Sequence, residues 1–238
     1  MSASLKNILL KIYSWPLVST EKANQHQKKI RDTEWEAIQK YIQIGKFIDI
    51  GSGAGYALKK AAELGNTIYG IDPNPGEHGV GRTGSGFHIA DVNIIQASAE
   101  NIPFDDKIFD TVYSSHVLEH VEDANLSLSE IKRILKDEGV LIIGMPTASM
   151  AFINLTTNTL FTIHQRLINF FLSPFIKTGK TTFRQLFVPN SHSHANKTVF
   201  FDLKYYRVKN WKKIISKHFQ IQKIIKPALY PYPEKIQF

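Results

Sequence analysis

Cysteine is absent from this chain of 238 residues. The missing thiols exclude disulfide bonds, zinc–thiolate centres and thiol nucleophiles. Long apolar runs are also missing. The stretch from Glu138 to Arg166 carries no charged side chain between its ends, but its centre at 154–159 is too polar for a spanning helix of about 20 apolar residues. Lys11 interrupts the apolar N-terminal run, so we expect neither a secretory signal nor a membrane span, but a cytoplasmic protein.

Acidic residues are scarce in the C-terminal quarter. Lys177–Phe238 contains 13 Lys and Arg but only two acids, Asp202 and Glu234, whereas the preceding residues carry a net charge of −3. The overall charge of +8 therefore comes from this segment. It indicates either a solvated helix face or peripheral contact with an anionic membrane surface or a phosphate-bearing substrate. Nucleic acid is disfavoured, because no RNA-binding module is recognisable.

Strand-like and helix-like patterns alternate through the first two thirds of the chain. The pattern predicts strands at 46–50, 67–71, 93–96, 109–114 and 139–144. Helices are predicted at 56–64 and at 123–135, the latter with Leu126, Ile131, Ile134 and Leu135 facing inward. This order predicts an α/β fold with a doubly wound, mostly parallel sheet.

The remaining segments are assigned to a single domain of residues 1–238. We expect N-terminal helices in 1–45, a cofactor-binding core in 46–146, an aromatic-rich inserted cap in 147–198, and a C-terminal helix and strand in 199–238. The helix is predicted at 202–218 and the strand at 219–225. Five glycines in 73–92 replace the expected second crossover helix and predict a mobile loop there.

The segment with the clearest chemistry is a glycine-rich loop between the first strand and the first crossover helix. Asp49 precedes Gly51, Ser52, Gly53 and Gly55. Glycines let a ligand lie against the backbone, and the following helix offers free amides. Asp72 follows the next strand, where an acid can accept both hydroxyls of a ribose. The pattern predicts a cofactor that contains a nucleoside.

The identity of that nucleoside depends on two further residues. Tyr56 occupies the position of the third glycine in the dinucleotide fingerprint, which disfavours an NAD-dependent oxidoreductase. Asp49 would add negative charge beside a pyrophosphate, whereas it suits a cofactor with an ammonium or sulfonium group.

Taken in order, six motifs resemble the class I S-adenosylmethionine-dependent methyltransferases. The resemblance is strongest to the small-molecule branch that includes enzymes of the ubiquinone and menaquinone pathways, and it covers roughly residues 46–146. It is carried by the segments 49–55, 70–72, 97–104, 109–110, 117–121 and 131–139. It implies a Rossmann-like fold and S-adenosyl-L-methionine as the cofactor.

The resemblance also implies roles for individual residues. Residues of the loop would hold the methionine part of the cofactor, and Asp72 would bind the ribose with Pro73 beside the adenine. Ala99 and Glu100 would lie at the adenine edge, and Ser114, Ser115 and His116 would face the sulfonium and the substrate. Ser98 departs from the family, which often has an acid at this position to accept the adenine amino group.

Histidines supply the candidates for a general base. His116 lies after the fourth strand, and His192 and His194 lie in the cap, where either could accept a proton near neutral pH. His116 and His120 also form an H-x-x-E-H pattern. That pattern binds zinc on a long protease helix, which is not expected directly after a strand, so no metal is expected.

The sequence therefore predicts an S-adenosylmethionine-dependent methyltransferase with a small-molecule or lipid-like acceptor, most simply an oxygen atom. Positioning donor and acceptor can supply much of the rate, so no strong catalytic cluster is required. The alternatives are a non-catalytic, methyltransferase-like binding module and an NAD-dependent oxidoreductase.

Overall fold

A five-stranded parallel sheet is the main feature of the part of the chain described in a computed structural model. The structure describes residues 20–75, 94–153, 155, 156, 163, 167, 170, 191, 193 and 197–227. The strands are β1 (Lys46–Ile50), β2 (Thr67–Asp72), β3 (Ile94–Gln96), β4 (Phe109–Ser115) and β5 (Leu135–Gly144). Their order is β3-β2-β1-β4-β5, and all four pairings are parallel. The predicted α/β architecture is confirmed, and the strand order reverses between β1 and β4.

Helices precede, connect and follow these strands. They are α1 (Thr20–Ile38), a short 3-10 helix (Gln39–Tyr41), α2 (Tyr56–Glu63), α3 (Ala124–Ile134), α4 (Val199–Tyr205) and α5 (Val208–Ile215). In the part of the chain that the structure describes, no helix is long and apolar enough to cross a membrane.

The core beneath the sheet is built from strand β1, helix α2 and helix α1. Phe47 on β1 is fully buried and stacks on Tyr113 of β4, with ring centroids 6.1 Å apart. Trp35 of helix α1 meets both rings edge-on, at 6.3 and 6.0 Å. Leu58 of α2 is fully buried in the same cluster. Helix α1 therefore shares the core of the sheet.

The chain divides into two compact units. One comprises Thr20–Met145 and Lys209–Tyr230 and contains the whole sheet; the other includes Pro146–Val208. The single-domain organisation stays a prediction. The predicted cap at 147–198 and the predicted loop at 73–92 lie mostly outside the described residues.

Helix α3 differs from the prediction in its buried face. Leu126 is exposed, while Leu128 is fully buried beside Ile131 and Ile134. Asp123 caps the helix through the amides of residues 125 and 126. At 3.6 residues per turn, Leu126 then lies roughly 200° around the helix from Leu128. Leu135 already belongs to strand β5, so the chain passes from helix to strand without a loop.

The C-terminal elements also differ from the prediction. The single helix expected at 202–218 is two helices, α4 and α5, separated at the buried Tyr206. The strand expected at 219–225 is not formed: these residues have no regular secondary structure. Gln222, Lys223 and Ile224 are all exposed, so this segment lacks the buried face that a strand needs.

Candidate functional site

A turn of three glycines after strand β1 lies at the carboxyl edge of the sheet. Gly51, Gly53 and Gly55 have φ angles of 74°, 52° and 84°, which side chains rarely tolerate. The amides of Gly51 and Ser52 donate to the carbonyl oxygen of Ile71 over 2.8 and 3.0 Å. The loop is therefore fastened to strand β2, and helix α2 begins directly after Gly55.

Gly51 also contacts the loop that follows strand β4. A Cβ atom at this position would lie 2.2 Å from Cγ2 of Val117, which a packed interior does not accommodate. The sequence predicted glycine here for close approach of a ligand. The structure adds a second requirement, because the loops after β1 and β4 pack against each other at Gly51.

Two buried carboxylates flank the glycine loop, as the sequence predicted. Asp72 accepts hydrogen bonds from the amides of Gly53 and Asn74, both at 2.8 Å. Asp49 is 4% exposed. Burial and the neighbouring Asp72 carboxylate raise the pKa of Asp49 well above its usual range, and Arg31 offsets only part of this effect. A bound cation would stabilise the charged form of Asp49.

Two serine hydroxyls near the loop are buried without a partner. Ser52 Oγ and Ser114 Oγ are inaccessible to solvent and make no hydrogen bond within the described part of the chain. Ser52 belongs to the loop after β1, and Ser114 is the penultimate residue of the neighbouring strand β4. An unsatisfied buried hydroxyl is costly, so a polar ligand at this edge would relieve a real penalty.

Helix α1 contributes charged side chains that the sequence did not predict for the site. Arg31 donates to Ser115 Oγ over 3.3 Å and pairs with Glu34. Glu34 in turn lies 3.1 Å from Nε2 of His116. The contacts of helix α1 with Ser115 and His116 join residues more than 80 positions apart in the chain. The sequence taken alone offers no signal for these pairs, because Arg31 and Glu34 belong to no recognisable motif.

The residues expected at the adenine edge lie together after strand β3, with a visible structural role. Glu100 accepts a hydrogen bond from the amide of Asp123 at 2.6 Å and lies 3.3 Å from Ser98 Oγ. Its carboxylate therefore holds the start of helix α3. Ala99 is buried, whereas Pro73 beyond the end of β2 is exposed.

The histidine candidates differ in what the structure describes. His116 lies at the end of β4, and its Nε2 and Nδ1 atoms lie 3.1 and 3.5 Å from Glu34 and Glu119. Residues 116–120 form a turn, so the H-x-x-E-H pattern is not on a helix. Within the described ranges, no cluster of three potential metal ligands is found. His192 and His194 lie outside the described residues.

Comparison with known proteins bears on the segment that carries this site. A family model for a methyltransferase domain matches residues 48–143. Residues 48–143 form a methyltransferase domain. A S-adenosylmethionine-dependent methyltransferase from Thermotoga maritima, described as a possible histamine N-methyltransferase, has a similar fold. The TM-score is 0.50 at 19% identity, over 83% of this chain and 74% of that chain. The methyltransferase domain thus has the class I fold.

Curated relatives match the same methyltransferase domain. A ubiquinone biosynthesis O-methyltransferase of Bartonella tribocorum is 28% identical over 99 residues, or 42% of this chain and 40% of that protein. A sterol 4-C-methyltransferase of Caenorhabditis elegans is 30% identical over 98 residues, or 40% of this chain and 29% of that protein. The matched segment therefore spans less than half of either relative.

S-adenosyl-L-methionine is the cofactor that this methyltransferase domain implies. The residues present fit it. The glycine loop carries no side chains at Gly51 and Gly53, Asp49 is a buried carboxylate in need of a cation, and the hydroxyls of Ser52 and Ser114 lack partners in the described structure. Each feature suits a molecule that bears positive charge and polar groups.

Proposed function

We propose that the protein transfers a methyl group from S-adenosylmethionine to a small-molecule or lipid-like acceptor. The observation that carries this proposal is the buried Asp49 carboxylate, next to Asp72 and behind a glycine turn at the point where the strand order reverses. Open α/β sheets bind ligands at such a point. In a dinucleotide site, a second buried negative charge would repel the phosphates of the ligand.

In this proposal, each part of the edge has a separate task. Asp49 and the glycine loop hold the charged methionine end of the cofactor, and Asp72 holds the ribose hydroxyls. Residues 98–100 and Pro73 line the adenine side, and Ser114 and Ser115 face the reacting end. When bound, the cofactor supplies a methyl group on a reactive sulfonium. The chain's own contribution is mainly to orient this group and to exclude water.

We further propose oxygen as the accepting atom. The support is the similarity to ubiquinone biosynthesis O-methyltransferases, which match at 28–30% identity. Deprotonation of a hydroxyl requires a base, and His116 has both ring nitrogens in contact with carboxylates. His192 and His194 therefore stay the candidates for that base.

Contact with an anionic membrane surface is part of the same proposal. Helix α5 buries Trp211 on one side, while Lys209, Lys212 and Lys213 are exposed on the other. A lipid-like acceptor would be reached most readily by a protein held at the membrane surface. Clustered lysines are attracted to anionic lipid headgroups.

Calorimetric titration tests the cofactor. We expect wild-type protein to bind S-adenosylmethionine and not NAD⁺. The Asp72→Asn variant removes the charge proposed to meet the ribose, so its Kd should rise by about tenfold or more. Asp110→Asn is the matched control, since Asp110 bonds to the amide of Lys46 at the opposite end of the sheet. Absence of cofactor binding by the wild type would overturn the proposal.

Methyl transfer separates an enzyme from a binding module. Catechol and a prenylated catechol serve as acceptors, and formation of S-adenosylhomocysteine is measured with each. We expect turnover with at least the prenylated compound and a methyl ether as its product. Tight cofactor binding without turnover on either acceptor would favour the non-catalytic module.

A further inference from the structure

His116 stands between two carboxylates that come from different parts of the fold. Its Nε2 atom lies 3.1 Å from Oε1 of Glu34 on helix α1, and its Nδ1 atom lies 3.5 Å from Oε1 of Glu119 in the turn after β4. Glu119 is fully buried, and in the described structure neither of its oxygens has a hydrogen bond of good geometry. Within the described structure, the His116 imidazole thus stands within ion-pair distance of Glu119.

The geometry favours an additional proton on this cluster. A carboxylate only accepts hydrogen bonds, so an imidazole between two carboxylates satisfies both only when each ring nitrogen carries hydrogen. A neutral ring would leave one nitrogen lone pair facing a buried carboxylate. One additional proton therefore belongs to the group formed by Glu34, His116 and Glu119.

The surrounding charges agree with this count. Burial alone would lower the pKa of His116, but its contacts with Glu119 and Glu34 outweigh burial and raise the pKa above its usual value. Arg31 on helix α1 acts in the opposite direction on His116, and it also lowers the pKa of Glu34. Strand β5 contributes the carbonyl of Gly144, which accepts from the His116 amide at 2.9 Å.

The backbone at His116 supports a positioning role. Its φ angle is 58°, a left-handed conformation that is uncommon for residues other than glycine and is strained. The strained backbone and the Gly144 bond together aim the ring at helix α1. The same helix carries Arg31, which contacts Ser115 and acts on Asp49.

We propose that Glu34 and His116 form a positioning pair: the proton shared among Glu34, His116 and Glu119 fastens helix α1 to the end of strand β4 and thereby holds Arg31 beside the glycine loop. A second attachment of the helix, from Tyr56 Oη to Asp32 at 2.5 Å, involves no such proton. The helix is consequently held by one contact that depends on pH and by others that do not, among them this hydrogen bond and the packing of Trp35 on Phe47 and Tyr113. The effect on cofactor affinity rests on the proposed function. The attachment of helix α1 to strand β4 is independent of that function.

The sign of the pH effect follows from the proton count. His116 is protonated more readily in the attached state, so the attachment is fully present at low pH and is lost as pH rises through the pKa of the folded protein. The attachment weakens by up to about tenfold per pH unit between the pKa of the detached His116 ring and the higher pKa of the attached ring, and it no longer changes with pH above both. The Kd for S-adenosylmethionine should rise over the same interval.

Hydrogen exchange without cofactor tests the attachment directly. Protection factors of helix α1 amides, corrected for intrinsic exchange, are measured from about pH 6 to about pH 9 together with the NMR titration of the His116 ring. We expect a midpoint for His116 above about 6.5 and a loss of helix protection at the same midpoint. A ring that titrates at or below that value, with pH-independent helix protection, overturns the proposal.

Three variants separate positioning from general stability. Glu34→Gln should shift the midpoint of His116 downward, and His116→Asn, which tolerates the left-handed backbone, should abolish the pH dependence. Asp32→Asn is the control on the same helix, which should reduce protection at every pH and leave the midpoint unchanged. An unchanged midpoint in Glu34→Gln contradicts the pair. Binding of S-adenosylmethionine is measured separately in the same samples. Absence of binding at every pH would overturn the proposed function but not the attachment of helix α1.

Discussion

At Gly51 the structure leaves no room for one additional carbon atom. A methyl group at this position faces both a φ angle of 74° and a contact of 2.2 Å with Val117. Gly65 provides the matched comparison, because its φ angle is 90° and nothing lies within 4 Å of an added Cβ atom. The two glycines therefore separate backbone strain from steric collision.

Gly51→Ala should lower the free energy of unfolding by about 2–4 kcal/mol, since strain and overpacking add. Gly65→Ala should cost about 1–2 kcal/mol from strain alone. Urea denaturation measures both. Equal losses in the two variants would show that Val117 moves aside without cost. Gly51→Ala should also weaken cofactor binding, whereas Gly65→Ala should not.

At this scale, residues within local motifs were predictable and residues brought in by packing were not. The glycine loop directly follows strand β1, and Asp49 and Asp72 lie within the last two residues of β1 and β2, so local sequence patterns locate all of them. Arg31 and Glu34 reach the site only because helix α1 packs on Phe47 and Tyr113. That packing involves residues distant in sequence, which periodicity does not reveal.

Helix α2 illustrates the energetics of a single element. Leu58 is fully buried in the core, while Leu64 at the end of the helix is 37% exposed. Both are leucines, and they lie less than two turns apart. Truncating each leucine to alanine therefore compares a fully buried side chain with a partly exposed one of the same type.

Leu58→Ala should destabilise the protein by about 2–5 kcal/mol, because it removes contacts and leaves a cavity beneath the sheet. Leu64→Ala should cost less than about 1 kcal/mol. Thermal denaturation of both variants checks this difference. A loss for Leu64→Ala as large as that for Leu58→Ala would mean that the helix end is packed more tightly than its exposure indicates.

Elements with strong flanking signals were predicted well, and the others less so. Strand β1, followed at once by glycines, was predicted with its observed bounds of Lys46–Ile50. Strand β5 begins at Leu135, four residues before the prediction, because Leu135 pairs with Phe109 across a register shift. Residues 219–225 have an apolar pattern typical of a strand, yet residues 222–224 are exposed and the segment forms no strand.

Positive charge is concentrated in the C-terminal quarter of the chain. In the described structure, helix α5 exposes part of this charge to solvent. The three exposed lysines of α5 form no ion pair in the described parts of the chain, whereas several lysines near the sheet pair with acids. An excess of charge without counter-charges is available to an external partner.

Vesicle co-sedimentation tests this availability. We expect binding to vesicles that contain anionic phosphatidylserine, weak binding to neutral phosphatidylcholine, and loss of binding in high salt. A triple Lys→Gln variant at 209, 212 and 213 should bind several-fold less. The control removes the same charge elsewhere, by Lys→Gln at the exposed positions 46, 59 and 132. Equal losses of vesicle binding in both triple variants would indicate a general effect of charge. Helix α5 would then not be a specific membrane-binding surface.

The segment matched by the methyltransferase family depends for part of its core packing on Trp35, which lies outside that segment. That segment starts at residue 48, yet Trp35 on helix α1 covers Phe47 and Tyr113 from outside it. A polypeptide trimmed to 48–143 would leave Tyr113 without both of these aromatic partners. The segment matched by the family model is therefore shorter than the packed core of the sheet, which extends upstream to Trp35 on helix α1.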